Sequence, residues 1–143
     1  AKIVTTKRTL DVKSFFTTDG PGSTILDTDE LVTEIQIPKP ANGAKQTFRK
    51  FRLRKAIDFA IVSVASVITI EDGICRDAKI ALGAVAPTPV RAVAAEEAIR
   101  GKFINPAAAA AAAKAAVAEA TPLAMNGYKV EIAKALVKRA ILA

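Results

Sequence analysis

Apolar and polar residues alternate from Leu31 to Ile37: Leu31, Thr33, Ile35 and Ile37 fall on one side, and Val32, Glu34 and Gln36 on the other. This period of two predicts a strand, closed by Pro38 and Pro40, which cannot donate to a ladder. Before it, "KIV" and "RTL" read as two short strands around "TTK", and "DVKSFFTTDGPGST" as a loop with turn chemistry at Asp19-Gly20 and Pro21-Gly22. The start is abrupt, with no lead-in. "PKPANGAK" is the expected linker. Beyond it "TFRKFRLR" alternates again, with Lys50, Arg52 and Arg54 on one side and Phe51 and Leu53 on the other. "DFAIVSVASVITI" is β-branched enough for a strand rather than a helix. Asp72-Gly73 then predicts a type I′ hairpin leading into "ICRDAKIAL". In that second strand Ile74, Ala78, Ile80 and Leu82 are expected to share the core face.

The period then changes. "TPVRAVAAEEAIRG" suggests a helix capped by Thr88, with Pro89 at its first position and Gly101 as its stop. "NPAAAAAAAKAAVAEA" repeats the device with Asn105 and Pro106, in the residue type of highest helix propensity. From Tyr128 to Leu142, Ile132, Leu136 and Ala140 recur at spacing four, and so do Ala133, Val137 and Ile141. That predicts an amphipathic third helix. Strands followed by helices indicate an α+β fold: an antiparallel sheet with three helices packed on one face.

Composition narrows the chemistry. The 143 residues include no His and one Cys, which removes Ser-His-Asp and Cys-His catalysis, intrachain disulfides and nearly every zinc site. Cys75 lies in a strand and is expected to be buried and inert; a chain without disulfides suits a reducing cytoplasm. The alanine tract carries Lys114 and Glu119 and is too weakly apolar for a membrane span. The net charge of +7 suits an anionic partner, or serves solubility alone.

Six cations and no acid occupy Lys45 to Lys55. Such a strand could track phosphates, but on its basic side only Phe48 offers a ring for stacking, so nucleic-acid binding is not expected. A stand-alone basic binding module is the alternative function. Asp58 abuts an apolar run and is expected to pair with Arg54 or Lys55. "DTDE" at Asp27 to Glu30 reads as a solvated loop. "GPG" at Gly20 to Gly22 lacks the spacing of a phosphate loop, and "GAVAPTP" is a corner whose following helix N-terminus could accept an anion.

The ordered series Lys50, Arg54, Lys55, Asp58, Ala60, then a hairpin, then "ALGAVAPTPVRA", then a helix with Ala-Ala-Glu ending in Gly-Lys resembles a known family. It is similar to the C-terminal domain of the FAD-binding medium subunit of molybdenum hydroxylases, the xanthine dehydrogenase and carbon monoxide dehydrogenase flavoproteins. "RTLDVKSFF" and "DELVTEIQIP" resemble the segment that closes the flavin domain. The resemblance implies that residues 1–40 are the tail of an FAD-binding domain plus linker, and 41–143 the flavoprotein C-terminal domain. It implies FAD in the complete subunit, not retained by this piece alone. It also implies three partners: the N-terminal FAD-binding half, an iron–sulfur subunit and a molybdopterin subunit. Electrons would pass from iron–sulfur clusters through FAD to an acceptor such as NAD, with no catalysis by this chain alone. Two positions carry over as flavin contacts, Val32 and Lys50. One stretch departs: where relatives have an acidic, Arg-rich, Ser-containing segment before the last helix, this chain reads "PLAMNGYKVEI". The subunit contacts of that segment do not carry over.

Overall fold

A computed structural model describes residues 1–19 and 22–143. The turn at Asp19-Gly20 and Pro21-Gly22 and the "GPG" segment involve Gly20 and Pro21, outside the described residues. The chain divides into two compact units, Ala1–Pro40 and Ala41–Ala143.

In the first unit, β1 (Lys2–Thr5) lies between β2 (Thr9–Asp11) and β3 (Val32–Gln36), antiparallel to both. The expected loop after β2 contains one helical turn, α1 (Val12–Phe15), because the Asp11 carboxylate caps it by accepting the Lys13 N–H at 2.9 Å. The alternation of β3 is present, yet all five of its residues are exposed, so within this unit it has no core to face. A buried polar knot holds the unit instead. Glu30 accepts from the Thr5 hydroxyl at 2.6 Å, from Arg8 Nε at 2.9 Å and Nη2 at 2.8 Å, and from the Asp27 N–H at 3.1 Å. Of "DTDE", Asp27 and Asp29 form exposed pairs with Lys7, but Glu30 is buried, so the reading of the whole stretch as solvated is corrected. These charge-assisted bonds hold the Glu30 pKa down to about 2, against 4.5 for the free carboxyl, with Arg8 the leading cause.

The second unit is a four-stranded antiparallel sheet in the order β4 (Ala44–Phe51), β5 (Val62–Glu71), β6 (Ile74–Gly83), β7 (Val90–Arg91). Three helices follow, α2 (Val93–Ile99), α3 (Pro106–Ala115) and α4 (Tyr128–Ile141). Asp72 and Gly73 have φ of 52° and 77°, the left-handed pair that a type I′ turn requires. The ladder slips between Thr69 and Ile70. This slip seats Cys75 in the core with Ala78, Ile80 and Leu82, while Ile74, the residue expected there, is only half-buried. Burial also pushes the Cys75 thiol pKa up. Val62, Val64 and Ile68 of β5 complete that face, which packs against Ala95 and Ile99 of α2 and Leu136 and Val137 of α4. Full burial of Ile80, Ile99 and Ile141 contributes about 2–3 kcal/mol each.

Asn105 caps α3 by accepting from the Ala107 and Ala108 N–H groups, and Ala109, Ala112 and Ala113 bury against α2 and α4. The alanine tract is thus a closely packed inner helix. The expected cap of α2 at Thr88-Pro89 is corrected. Val90 and Arg91 instead pair with β6, and α2 begins at Val93 without a side-chain cap. A short edge strand has displaced the first turn because Ala92 N–H donates to the Ile80 carbonyl at 2.9 Å. The helix ends as expected, at Gly101 with φ 74°.

Candidate functional site

The sheet of the second unit has one helix-covered face and one helix-free face. Val62, Val64, Ser66 and Ile68 alternate inward. Ser63 and Ala65 therefore point away from the helices, and so do their register partners Lys50 and Phe48. Both Lys50 and Phe48 are exposed. Arg49, paired with Val64, faces the helix side, half-buried. The strand ends at Phe51, so Arg52 and Arg54 leave the alternation and enter a loop. The expected single basic strand face is reduced to Lys50, with Phe48 and Gln46 on the same side.

That loop, residues 52–60, is closed at its base by the Ile61 N–H donating to the Phe51 carbonyl at 2.9 Å. Asp58 organises it. One carboxylate oxygen accepts the Leu53 N–H at 3.0 Å and the Arg54 N–H at 2.8 Å. The Arg54 guanidinium lies 3.5 Å from the other oxygen and donates to the Ile57 carbonyl at 2.9 Å. The Arg54 backbone N–H is the leading cause holding the Asp58 carboxyl below the usual range. The expected partner Arg54 is therefore in place, but backbone amides do most of the work. Lys50 Nζ donates to the Asp58 carbonyl at 3.0 Å, which ties the strand amine to the loop. Ile57 has φ of 45°, a strained conformation for a β-branched residue. Leu53, Ile57 and Phe59 are 82%, 95% and 94% exposed.

Val32 lies in the first unit, on β3, and is 40% exposed. What these two residues can offer a flavin is limited but chemically suitable. The Lys50 ammonium has three donors and spends one on Asp58, leaving two for an acceptor. Val32 supplies an apolar surface. Among the described residues no glycine-rich cradle for a pyrophosphate is present.

Two features escaped the sequence. Glu96, in the first turn of α2, is 3% exposed; Oε1 accepts the Ile80 N–H at 2.7 Å and Arg91 Nε at 2.9 Å, and Oε2 accepts Arg91 Nη2 at 2.7 Å. The Glu96 carboxylate is thus spent on the β6 backbone and Arg91, and it does not cap the start of α2, which has no side-chain hydrogen bond. The second is a hollow of about 760 Å³ lined by Val85, Val93, Ala116, Pro122, Asn126 and Lys129. It includes part of the "PLAMNGYKVEI" stretch, and Lys50 does not line it.

Residues 46–143 match the family described as CO dehydrogenase flavoprotein C-terminal domain. The chain is similar to the carbon monoxide dehydrogenase medium chain of Hydrogenophaga pseudoflava, 33% identical over 139 residues covering 94% of this chain and 47% of that one. It is also similar to the glyceraldehyde dehydrogenase medium chain of Sulfolobus acidocaldarius, 36% identical over 98 residues covering 68% and 34%. Its backbone superposes on a carbon monoxide dehydrogenase structure from Hydrogenophaga pseudoflava that lacks the Mo-pyranopterin moiety. The TM-score is 0.84 at 36% identity, covering 99% of this chain and 51% of that one. Against quinoline 2-oxidoreductase from Pseudomonas putida 86 the TM-score is 0.86 at 28% identity, covering 99% and 50%. The chain spans about a third to a half of the length of these relatives.

Proposed function

The chain belongs to the CO dehydrogenase flavoprotein C-terminal domain family, and from that premise we propose that it serves an FAD-binding medium subunit of a molybdenum hydroxylase. Residues 41–143 are its C-terminal domain, and residues 1–40 are the tail of its FAD-binding domain. In the complete subunit Val32 and Lys50 contact the flavin, while the pyrophosphate is held by an N-terminal half. The subunit works in the cytoplasm and docks iron–sulfur and molybdopterin subunits. The observation that carries this reading is the superposition of 99% of the chain on half of a CO dehydrogenase chain. The chemistry FAD supplies when bound is exchange of electron pairs and single electrons. The chain's own contribution is electrostatic and steric. The Lys50 ammonium, held by the Asp58 carbonyl, favours negative charge beside it, and Val32 excludes water.

The test is Lys50→Ala in the complete subunit. Loss of one cation next to an anionic reduced ring lowers the flavin reduction potential and weakens FAD binding about tenfold. Lys50→Arg keeps the charge and most of both properties. An unchanged potential together with an unchanged FAD dissociation constant in Lys50→Ala refutes the contact. Tight FAD binding by the 143 residues alone would overturn the assignment of the main cradle to an N-terminal half.

A further inference from the structure

The hollow beside the start of α4 is lined wholly by the second unit. Its volume of about 760 Å³ is that of a small-molecule site. Its walls are small and apolar, with Val85, Val93, Val117 and Val130 among them. Asn126 also lines it, and its Oδ1 is buried and accepts no hydrogen bond among the described residues. A buried acceptor without a donor is costly, and native folds rarely leave one. The two cations of the lining are already engaged. Arg91 pairs with Glu96 at 2.7 Å, and Lys129 Nζ donates to the Ala84 carbonyl at 3.0 Å. The second bond joins the corner after β6, where Ala84 has φ of 61°, to the first turn of α4, and so fixes the shape of the hollow. The two acids of the lining, Glu97 and Glu119, form no ion pair among the described residues. Residues 115–120 complete the wall at the C-terminal end of α3, where the helix dipole is negative.

We infer that this hollow binds a small organic ammonium ion with an apolar body. An acceptor without a donor, two unpaired carboxylates and the negative end of a helix all call for a donor that carries positive charge. Valine and alanine walls call for hydrocarbon around it. A metal ion fits less well, since no group of three His, Cys, Asp or Glu able to hold one occurs among the described residues. A phosphate or carboxylate would meet the two acids while both cations are spent elsewhere. In a chain of net charge +7, a hollow whose unpaired charges are all negative goes against the general surface and suits a ligand of the opposite sign. The inference does not rest on the flavin reading, because Lys50 does not line the hollow.

The experiment titrates the complete subunit with cyclohexylammonium, followed by ligand-observed NMR. Cyclohexanol and cyclohexanecarboxylate, which share the ring but not the charge, are the comparisons. The amine binds saturably with a Kd of about 1 mM. The alcohol binds at least about tenfold more weakly, and the carboxylate does not bind. Asn126→Leu removes the acceptor and weakens the amine about tenfold. Glu97→Gln with Glu119→Gln also weakens it about tenfold, and that loss shrinks at high salt. Asn126→Asp tightens it about tenfold, a gain that a merely structural asparagine would not give. Circular dichroism checks that each variant folds; should Asn126→Leu not fold, Asn126→Asp and the double glutamine variant decide. The inference is overturned if the amine does not bind saturably, the result expected where water or another part of the subunit fills the hollow. It is equally overturned if the alcohol or the carboxylate binds as tightly as the amine, or if the variants leave amine binding unchanged.

Discussion

Removing the carboxylate of Glu96 should cost more than any other single surface-to-core polar change in the second unit, because it joins β6, β7 and α2 through one side chain. In Glu96→Ala the Ile80 N–H, in the middle of a fully buried residue, loses its 2.7 Å acceptor. A hydrogen bond to a charged group contributes about 1.5–3 kcal/mol. The Arg91 guanidinium loses both of its bonds to the carboxylate, but its side chain is 42% exposed and water replaces most of that interaction. That part is held to about 1 kcal/mol. Together the loss is about 2–4 kcal/mol. Glu96→Gln leaves the amide oxygen free to accept from Ile80 and should cost about 1–2 kcal/mol. Arg91→Ala removes only the half-exposed partner but leaves a buried charge with one amide, so it should fall between the two. Urea unfolding of the chain reads all three. With m near about 2 kcal/mol/M, Glu96→Ala moves the midpoint down by about 1–2 M and leaves the slope unchanged. A midpoint within experimental scatter of the parent, or a Glu96→Gln loss equal to that of Glu96→Ala, would refute the assignment of the stabilisation to the Ile80 amide.

Two further outcomes are expected. The Glu30 carboxyl titrates at about 2 in the fold against 4.5 free, so the stability it contributes is present above pH 4.5 and is lost as pH falls toward about 2; Glu30→Gln should flatten that part of the melting-temperature profile, and an unchanged profile would contradict the knot with Arg8 and Thr5. At Gly73, with φ of 77°, an added Cβ would overlap the Phe103 ring. Gly73→Ala should therefore cost about 1–2 kcal/mol in urea unfolding, and Phe103→Ala in the same chain should return the part due to the clash.

Elements with a strong local signal were legible from residues alone. The alternation at Leu31–Ile37, the Asp72-Gly73 turn and the Asn105-Pro106 start each answer to nearest neighbours in sequence, and each stands where it was expected. Elements decided by distant partners were not. Thr88-Pro89 carries every local mark of a helix start, yet the Ile80 carbonyl captures the Ala92 N–H and the helix waits until Val93. Ile74 has the better side chain for the core, yet the slip at Thr69–Ile70 gives the place to Cys75. Glu30 reads as part of a solvated loop because nothing near it in sequence shows that Arg8 and Thr5 will meet it in a buried position.

The basic cluster shows where local pattern stops informing function. Six cations in eleven residues look like one electrostatic surface, but a strand sends consecutive side chains to opposite faces and ends where its ladder ends. Arg49 goes under the helices, Lys50 goes to the helix-free face, and Arg52 onward leaves the sheet. Asp58, a lone acid among them, then does what the cations cannot. By accepting two backbone amides it turns a segment that repulsion would extend into a closed loop, and its carbonyl holds the Lys50 ammonium in place. The charge that matters most for the site is therefore the single negative one. Neutralising it as Asp58→Asn should loosen the amine and the apolar display of Leu53, Ile57 and Phe59 together, whereas neutralising the exposed Arg52, which makes no bond within the loop among the described residues, should leave both in place.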